Sequence, residues 1–411
     1  MLDKLLNSNA LNINCDIACL IDDREGMLDQ YDSVNLNCDT YIASEAVNAK
    51  LLGKGANINA DSIVITDYKG EFVQLPDGAV IDGGTDYSGV FVIAPGNVLL
   101  RSGGIRAFEN AAGTVVSGTV YYPDSCSQSA LARVQGNRRS YPEGAYVVLG
   151  SRGLGRLLAE MPENTGEAWV AGEVSVFDES ELQKAKSRGV SITCDRLYTY
   201  EGLYEAYRDL FQAADCILVP DGYAVVGAHT LNEASILYGK RLYVRGAFLL
   251  EEKAAGCLSQ FESILVKGCA SLPSSCVQAF QAVGKADSYR LYEGRLYTVN
   301  GWETISHERL STMVERGEKI TLHINGFVLF ADDVTASDMD AIASLSCNGF
   351  IIMPGEAQGA VAARTGSING FMTDMASVEK MTGLTMQELI QKLAAGKMGA
   401  GNINTDIYML L

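Results

Sequence analysis

The residues with the clearest chemical spacing form a glycine turn near position 150. A β-prone run that begins at Tyr146 leads into Gly150, Gly153 and Gly155, and an apolar helical pattern continues to Met161. Glycines at such a turn allow backbone amides and a helix N-terminus to approach a phosphate group. The spacing therefore indicates a site that could hold the pyrophosphate of a dinucleotide.

A downstream acidic residue extends this pattern. Asp178 ends a second β-prone run, about twenty positions after the turn, where a carboxylate would bind a ribose hydroxyl. Together these residues resemble the cofactor loop of the short-chain dehydrogenases, whose pattern is G-x-x-x-G-x-G. The resemblance implies an NAD(P)-dependent oxidoreductase with Gly150, Gly153, Gly155 and Asp178 as the cofactor-binding residues.

The glycine turn departs from that family in two respects. Its spacing, G-x-x-G-x-G, is one residue shorter, and the family's Tyr-x-x-x-Lys is missing because Tyr238 and Lys240 lie only two positions apart. A structural turn between a strand and a helix of a repeat protein would have the same glycines. We favour the structural turn, with no cofactor, and keep NAD(P) binding as the alternative hypothesis.

A second candidate is an aspartate that recurs in a short phrase. The phrase reads NINCDIACL, NLNCDTYIA and NINADSIVI near the start of the sequence and NINTDIYML near its end. Its aspartates are Asp16, Asp39, Asp61, Asp195, Asp215 and Asp406. Stacked carboxylates repel unless they bind Ca²⁺ or accept backbone amides in a turn. Glycine replaces aspartate in about half of the copies, and both residues tolerate left-handed backbone, which favours the turn.

The ten cysteines do not follow a metal-binding pattern. There is no C-x-x-C pair, and no histidine lies at zinc-finger distance from a cysteine pair. One place in the phrase is instead filled by small residues: Cys15, Cys38, Cys194, Ala60 and Ala214. This pattern is typical of a small buried residue that stacks from repeat to repeat. We therefore expect no metal site.

The interval between phrases predicts the elements that position these residues. Asp16, Asp39 and Asp61 are separated by steps of 23 and 22, and several later steps are also 20 to 23 residues. Such a period is typical of solenoids, in which each unit buries its apolar face against its neighbours. We predict an α/β repeat solenoid with parallel strands stacked along an axis, in an array that ends with the last phrase.

The pattern between phrases changes along the chain, which predicts five regions. Short strands dominate early and helical spacing appears later, so the first part is β-solenoid-like and the later part strand-plus-helix. Helices are expected at 44–52, 201–214, 249–261, 335–346 and 385–396. The regions are a β-rich solenoid with a 22-residue period (1–122), a junction loop (123–144), strand-helix repeats (145–285), a hairpin insertion (286–301), and strand-helix repeats with a terminal cap (302–411).

One segment of the later part matches a known repeat skeleton. The matching residues are Leu258, Phe261, Ile264, Val266, Cys269 and Leu272. They resemble the L-x-x-L-x-x-L-x-L-x-x-N/C-x-x-L pattern of leucine-rich repeats. The resemblance implies a leucine-rich-repeat-like solenoid and brings no active site with it.

Charge and composition narrow the choice of partner. The net charge is -18, from 50 acidic and 32 basic residues, which argues against nucleic acid or an anionic membrane as the main partner. No apolar run of about 18 residues that could span a membrane and no signal peptide are found. We therefore expect a cytoplasmic protein with reduced cysteines.

No group of residues forms a catalytic constellation that outweighs its structural explanation. Solenoids offer long surfaces, and strands at both ends of an array leave open edges that favour association. We expect a non-catalytic protein-binding or scaffolding protein that binds another protein or itself as a homo-oligomer. An oxidoreductase that uses the glycine turn is the alternative.

Overall fold

Parallel strands with short helices between them form most of the structure. The computed structural model describes residues 10–23, 26–382, 385, 388 and 401–410, and strands make up 47% of it. The chain divides into two compact units. One unit is Asn7–Asp221 with Gly399–Leu411, and the other is Gly222–Met398 with Met1–Leu6. The prediction of a parallel α/β fold is confirmed.

The strands of the described residues are numbered in chain order. They are β1 (Ala10–Leu20), β2 (Ser33–Ala43), β3 (Asn57–Ile65), β4 (Phe72–Gln74), β5 (Ala79–Ile81), β6 (Phe91–Ala94), β7 (Val98–Leu100), β8 (Gly113–Pro123), β9 (Gln135–Tyr141), β10 (Tyr146–Leu149), β11 (Arg152–Gly153), β12 (Glu167–Val176), β13 (Ser191–Tyr200), β14 (Phe211–Val219), β15 (Ala224–Val226), β16 (His229–Thr230), β17 (Arg241–Arg245), β18 (Phe248–Leu249), β19 (Ser263–Pro273), β20 (Gly284–Tyr292), β21 (Arg295–Ile305), β22 (Ile320–Phe330), β23 (Ile342–Met353), β24 (Thr365–Asp374), β25 (Gly401–Asn404) and β26 (Ile407–Leu410).

The helices that join these strands are short. The α-helices are α1 (Glu45–Gly53), α2 (Gln128–Leu131), α3 (Leu154–Glu160), α4 (Glu179–Ser187), α5 (Glu201–Tyr207), α6 (Val277–Val283), α7 (His307–Glu315), α8 (Gln358–Arg364) and α9 (Met375–Thr382). The 3₁₀ helices are Met27–Gln30, Gly104–Phe108, Arg208–Leu210, Glu233–Tyr238, Glu252–Gln260, Ser274–Cys276 and Asp338–Ala341. Helix α1 confirms the helix predicted at 44–52, and Ser44 caps it by accepting the Val47 amide at 3.2 Å.

The strands of the described residues form five sheets, which we name A to E. Sheet A contains β1–β3, β25 and β26, sheet B β4–β9, sheet C β10–β14, sheet D β15–β20, and sheet E β21–β24. We call each level of a sheet a rung, whether it is one strand or two short strands end to end. In the described residues every sheet then has four rungs in parallel.

The C-terminal phrase completes the first sheet. Strands β25 and β26 both pair with β1, so that Asn12 lies opposite Asn402 and Leu20 opposite Leu410. The prediction that the last phrase ends a linear array was therefore wrong. Its backbone extends the hydrogen-bond ladder of β1, because the Asp16 and Ile17 amides both donate to the Asp406 carbonyl at 3.0 Å. The tail thus covers the edge that the N-terminal strand was expected to leave open.

The strands of sheet A have two different halves. In the first half of β2, buried Leu36 and Cys38 alternate with exposed Asn37 and Asp39, as expected for a sheet with one face in water. In the second half every residue is buried. Tyr41 packs in the core of sheet A, whereas side chains of the opposite face, such as Ile42, pack with Phe91, Ile93 and Val115 of sheet B. The chemistry of sheet A therefore lies in the first half of its strands.

Sheets B and D share a construction that the sequence patterns did not predict. In each, two rungs split into pairs of short strands precede two continuous rungs. A tyrosine at the end of the fourth rung donates its hydroxyl to a carbonyl two rungs earlier: Tyr141 to Leu100 at 2.7 Å, and Tyr292 to Leu250 at 2.5 Å. The two sheets thus show related four-rung modules, one in each unit.

Two further sequence predictions were wrong. The hairpin at 286–301 does not exist, because β20 pairs with β19 and β21 with β22, both in parallel, and Gly294 only turns the chain between two sheets. The junction loop at 123–144 contains α2 and β9, the last rung of sheet B. The divide between the units falls at residues 221 and 222 instead.

Most predicted helices are shorter than their apolar spacing suggests. At 201–214 the helix gives way to β14 at Phe211, whose backbone pairs with β13. At 249–261 and 335–346 the predicted helices are replaced by the 3₁₀ helices Glu252–Gln260 and Asp338–Ala341, and the second segment continues into β23. The helix predicted at 385–396 lies almost wholly outside the described residues. Among the residues that resemble a leucine-rich repeat, Leu258, Ile264 and Leu272 are buried and Cys269 is half-buried.

Candidate functional site

The water-facing half of sheet A carries three columns of polar residues. Two columns are asparagines, and their side chains form ladders: the Asn35 amide donates to Asn12, and the Asn59 amide to Asn37, both at 2.7 Å. The third, which we call the aspartate column, contains Asp16, Asp39, Asp61 and Asp406. Asparagine ladders satisfy themselves because each amide both donates and accepts. Carboxylates only accept, so the aspartate column needs donors or cations from elsewhere.

The aspartate column lines a groove on this face. A cavity of about 650 Å³ includes all four aspartates. An adjoining cavity of about 350 Å³ shares Asp39 and Asp61 and extends to Ser117 and Asn137 of sheet B. The Ser117 hydroxyl donates to Asp39 at 2.9 Å. Among the described residues, no basic side chain forms an ion pair with a member of the column.

The electrostatic cost of this arrangement is clearest at Asp16. Its burial raises the pKa of its carboxyl group, and the charges of Asp39 and Asp406 raise the pKa further. Like charges on neighbouring strands repel, so each ionised carboxylate disfavours the next. The repulsion within the aspartate column therefore destabilises the close pairing of the strands of sheet A.

The structure bears on both explanations that the sequence suggested for the aspartates. In the described part of the chain, no group of three or more potential ligand side chains could hold a metal ion. The turn explanation was wrong, because every described residue with positive φ is a glycine and the aspartates have ordinary backbone. Glycine copies such as Gly326 and Gly349 do have positive φ, 137° and 141°. Aspartate and glycine copies are therefore not equivalent.

The aspartates of sheet C have basic partners. Asp195 pairs with Arg139, whose guanidinium also lies over the Trp169 ring at 4.7 Å. Asp215 pairs with Arg196 at 2.9 Å. The register places Cys194 opposite Ala213 rather than Ala214, so the predicted alignment of this phrase is off by one residue. In sheet A, by contrast, Cys38 is opposite both Cys15 and Ala60, as predicted.

The glycine turn lies within one rung of sheet C. Gly150, with φ 88°, bends the chain between β10 and β11, which both pair with β12. A Cβ at Gly155 would meet only the end of the flexible Glu181 side chain, which can move aside. Asp178 caps helix α4 by accepting the Ser180 amide at 2.8 Å, a contact that lowers its pKa. The turn and the cap give Gly150 and Asp178 structural roles, whereas a Cβ at Gly153 would meet only the Ser175 hydroxyl at 4.0 Å.

Two pairs of side chains make contacts that the sequence analysis did not predict. Cys15 and Cys38 are opposite each other on neighbouring strands, and a hydrogen bond between their thiols lowers the pKa of Cys38. His307 Nδ1 lies 2.8 Å from the buried Asp338 carboxylate, which also accepts the Thr335 amide. The sequence predicted that Cys15 and Cys38 stack, but not the hydrogen bond between their thiols. The histidine pair is 31 residues apart and had no local signal.

Comparison of the chain with protein-family models, curated proteins and solved structures found no match. In the part of the chain that the structure describes, no helix is both long and apolar enough to cross a membrane.

Proposed function

We propose that this protein is a non-catalytic, self-assembling scaffold that associates through an open strand edge of its repeat sheets. In this proposal the four-rung stacks are modules of an α/β repeat solenoid, and the expected cytoplasmic location is kept. The observation that carries it is the exposure of apolar residues on β3, the last rung of sheet A.

The exposure of β3 differs sharply from that of the rungs beneath it. Ile63 and Ile65 are 59% and 43% exposed, whereas Tyr41 and Ala43, opposite them on β2, are fully buried. Ala18 and Leu20 on β1 are fully buried as well. The same positions thus become exposed only where the next rung is missing. A further strand would bury these side chains and satisfy the backbone groups along the edge.

Last rungs of the second unit share this feature. Leu291 on β20 is 51% exposed, and Ile368 on β24 is 38% exposed. An edge with apolar side chains and unpaired backbone groups binds another strand unless it is covered or charged. These open rungs support a role in association rather than in catalysis.

The test compares two lysine substitutions in sedimentation velocity over a concentration series. Ile63→Lys places a charge on the open edge and is expected to abolish concentration-dependent association. Leu52→Lys is the matched control, because Leu52 is 61% exposed but lies on helix α1. A wild-type protein that stays monomeric at every concentration would refute the proposal, as would equal effects of both substitutions.

The oxidoreductase hypothesis has a separate test. If Gly150, Gly153, Gly155 and Asp178 have only structural roles, NAD(P) at millimolar concentration leaves the melting temperature unchanged. A ligand at about 100 times its Kd would add about 2.7 kcal/mol to the free energy of unfolding. A clear rise in melting temperature that Asp178→Ala removes would favour the enzyme.

A further inference from the structure

The two outer edges of sheet A carry matching sequences. At one edge β3 reads NINADSIVI, and at the other the tail reads NINTDIYML from residue 402 to residue 410. Each is in register with its inner neighbour: Asn57 is opposite Asn35, and Asn402 is opposite Asn12. One edge of the sheet therefore has the residue pattern that continues the other.

Both edges are also less buried than the rungs between them. Residues 407–410 of the tail are half-buried, whereas Ile17–Leu20 of β1 are fully buried. On the other side Ile63 and Ile65 are exposed. The uncovered apolar area thus occurs at matching positions of the two edges.

The side-chain hydrogen bonds of the asparagine ladders all point the same way from rung to rung. Asn35 donates to Asn12, and Asn59 donates to Asn37, so each rung donates to the rung on its tail side. A rung added beyond β3 would donate to Asn57 and Asn59, and the tail has asparagines at both corresponding positions, 402 and 404. If β3 faced the β3 strand of another copy instead, two accepting edges would meet in antiparallel orientation, and neither would supply the donors that continue the ladder.

We propose that the partner of β3 is the 401–410 rung of a second copy, which pairs in parallel and in the register of the existing rungs. This rests on the proposed scaffold function and names its partner. The contact joins Ile63 to Tyr408 and Ile65 to Leu410 of the second copy. Because the two copies use different surfaces, the contact repeats head to tail and generates an open chain of molecules.

The aspartate column limits this association. In the same register Asp61 comes next to Asp406 of the second copy, and like charges on adjacent strands destabilise their pairing. Asp61→Asn removes this repulsion and supplies an amide that both donates and accepts. The wild-type protein therefore associates weakly, and the substituted protein associates more tightly.

The experiment measures self-association of the full chain by sedimentation velocity. Asp61→Asn is expected to associate about fivefold more tightly than the wild type. The double variant Asp61→Asn/Ile63→Lys should be monomeric. A synthetic peptide with the sequence of residues 401–410 should dissociate the Asp61→Asn assembly by capping β3, while a scrambled peptide should not.

The outcomes separate the partner from the scaffold function. If Ile63→Lys abolishes association but neither Asp61→Asn nor the peptide changes it, β3 is an interface and the tail of a second copy is not its partner. If Asp61→Asn does not tighten association, the proposed register is overturned. If the double variant still associates, the edge itself is not the interface, and both proposals fail.

Discussion

Sheets A and E place different residues at the same kind of position. In sheet A the residue after the small core residue is aspartate, as in Cys38-Asp39, whereas in sheet E it is asparagine, as in Cys347-Asn348. The asparagines of sheet E form a ladder, with Asn325 donating to Asn300 and Asn369 to Asn348, both at 3.0 Å. The amide column stabilises its own stack, and the carboxylate column opposes it. A single change of residue type, from aspartate to asparagine, therefore decides whether this column of side chains destabilises or stabilises the stacking of the strands.

Sheet E gains a second constraint from its glycines. Gly301, Gly326, Gly349 and Gly370 are stacked in register, directly after the asparagines. Each of the last three lies so close to the carbonyl of the preceding rung that a Cβ would collide with it. The close approach of the backbones requires glycine at these positions, whereas sheet A has no such column among the described residues.

The largest expected effect tests that close approach. Gly349→Ala should lower the free energy of unfolding by about 3 kcal/mol, because φ is 141° and the new methyl group meets the Gly326 carbonyl. Urea denaturation followed by the emission of Trp302, in a Trp169→Phe background, reports on sheet E. Gly355→Ala, where nothing lies within 4 Å, is the control. Equal effects of both substitutions would contradict the requirement for glycine.

A smaller effect is expected when the asparagine column is made to resemble sheet A. Asn348→Asp keeps an acceptor for Asn369 but loses the donor and adds a charge, so we expect a loss of about 1 kcal/mol. The same Trp302 measurement applies. Asn110→Asp, on an exposed loop, is the control. No difference between the two variants would show that the ladder does not contribute.

The reverse change in sheet A should stabilise the protein. Asp16→Asn removes a repulsive carboxylate and should add about 0.5 kcal/mol at neutral pH, measured by urea denaturation with Trp169 emission. The folded-state pKa of Asp16 is raised above its ordinary value of 3.8, so ionisation costs stability as pH rises through that range. The advantage of Asp16→Asn should therefore disappear below about pH 4. An advantage that persists there would mean that charge is not its cause.

The smallest expected effects on stability concern the Asp338 carboxylate, which is paired with His307. The Asp338 carboxylate raises the pKa of His307 above 6.5, so the stability of this pair is fully present below pH 6.5 and is lost as pH rises through the folded pKa. Although burial opposes it, hydrogen bonds from His307 and Thr335 lower the pKa of Asp338, so its contribution is lost in acid. Asp338 and Asp16 should thus have opposite pH dependences.

His307→Gln isolates the histidine half of that pair. It should remove the decrease in stability of the second unit as pH rises above 6.5, monitored by Trp302 emission. His229→Gln is the comparison, because burial lowers the pKa of His229 and its Nε2 contacts the Ser235 hydroxyl at 2.8 Å rather than a carboxylate. If both histidines contribute the same pH dependence, the Asp338 contact is not the cause.

The strands and their buried faces could be predicted from the sequence, but the pairing of the outermost strands could not. The alternation around Asn37 and Cys38 identifies one wet and one buried face, and the 22-residue interval gives the rungs. The phrase is nearly the same in all four rungs of sheet A, however, so it does not specify that the tail pairs with β1. The turn at Gly294 likewise has the residues of a hairpin, although it connects two sheets. The pairing of the tail and the connection at Gly294 both depend on which distant strands pair, and a short segment of sequence does not contain that information.

The pairing of the tail with β1 has a consequence for synthesis. Residues 401–410 emerge from the ribosome some 390 residues after β1, and at about 5–20 residues per second this delay is roughly 20–80 s. Throughout that time Leu11, Ile13 and the rest of the β1 edge lack their outer neighbour. Among the described strands, completion of sheet A is therefore the pairing of longest sequence separation, and a nascent chain must keep this edge from pairing elsewhere until its own tail arrives.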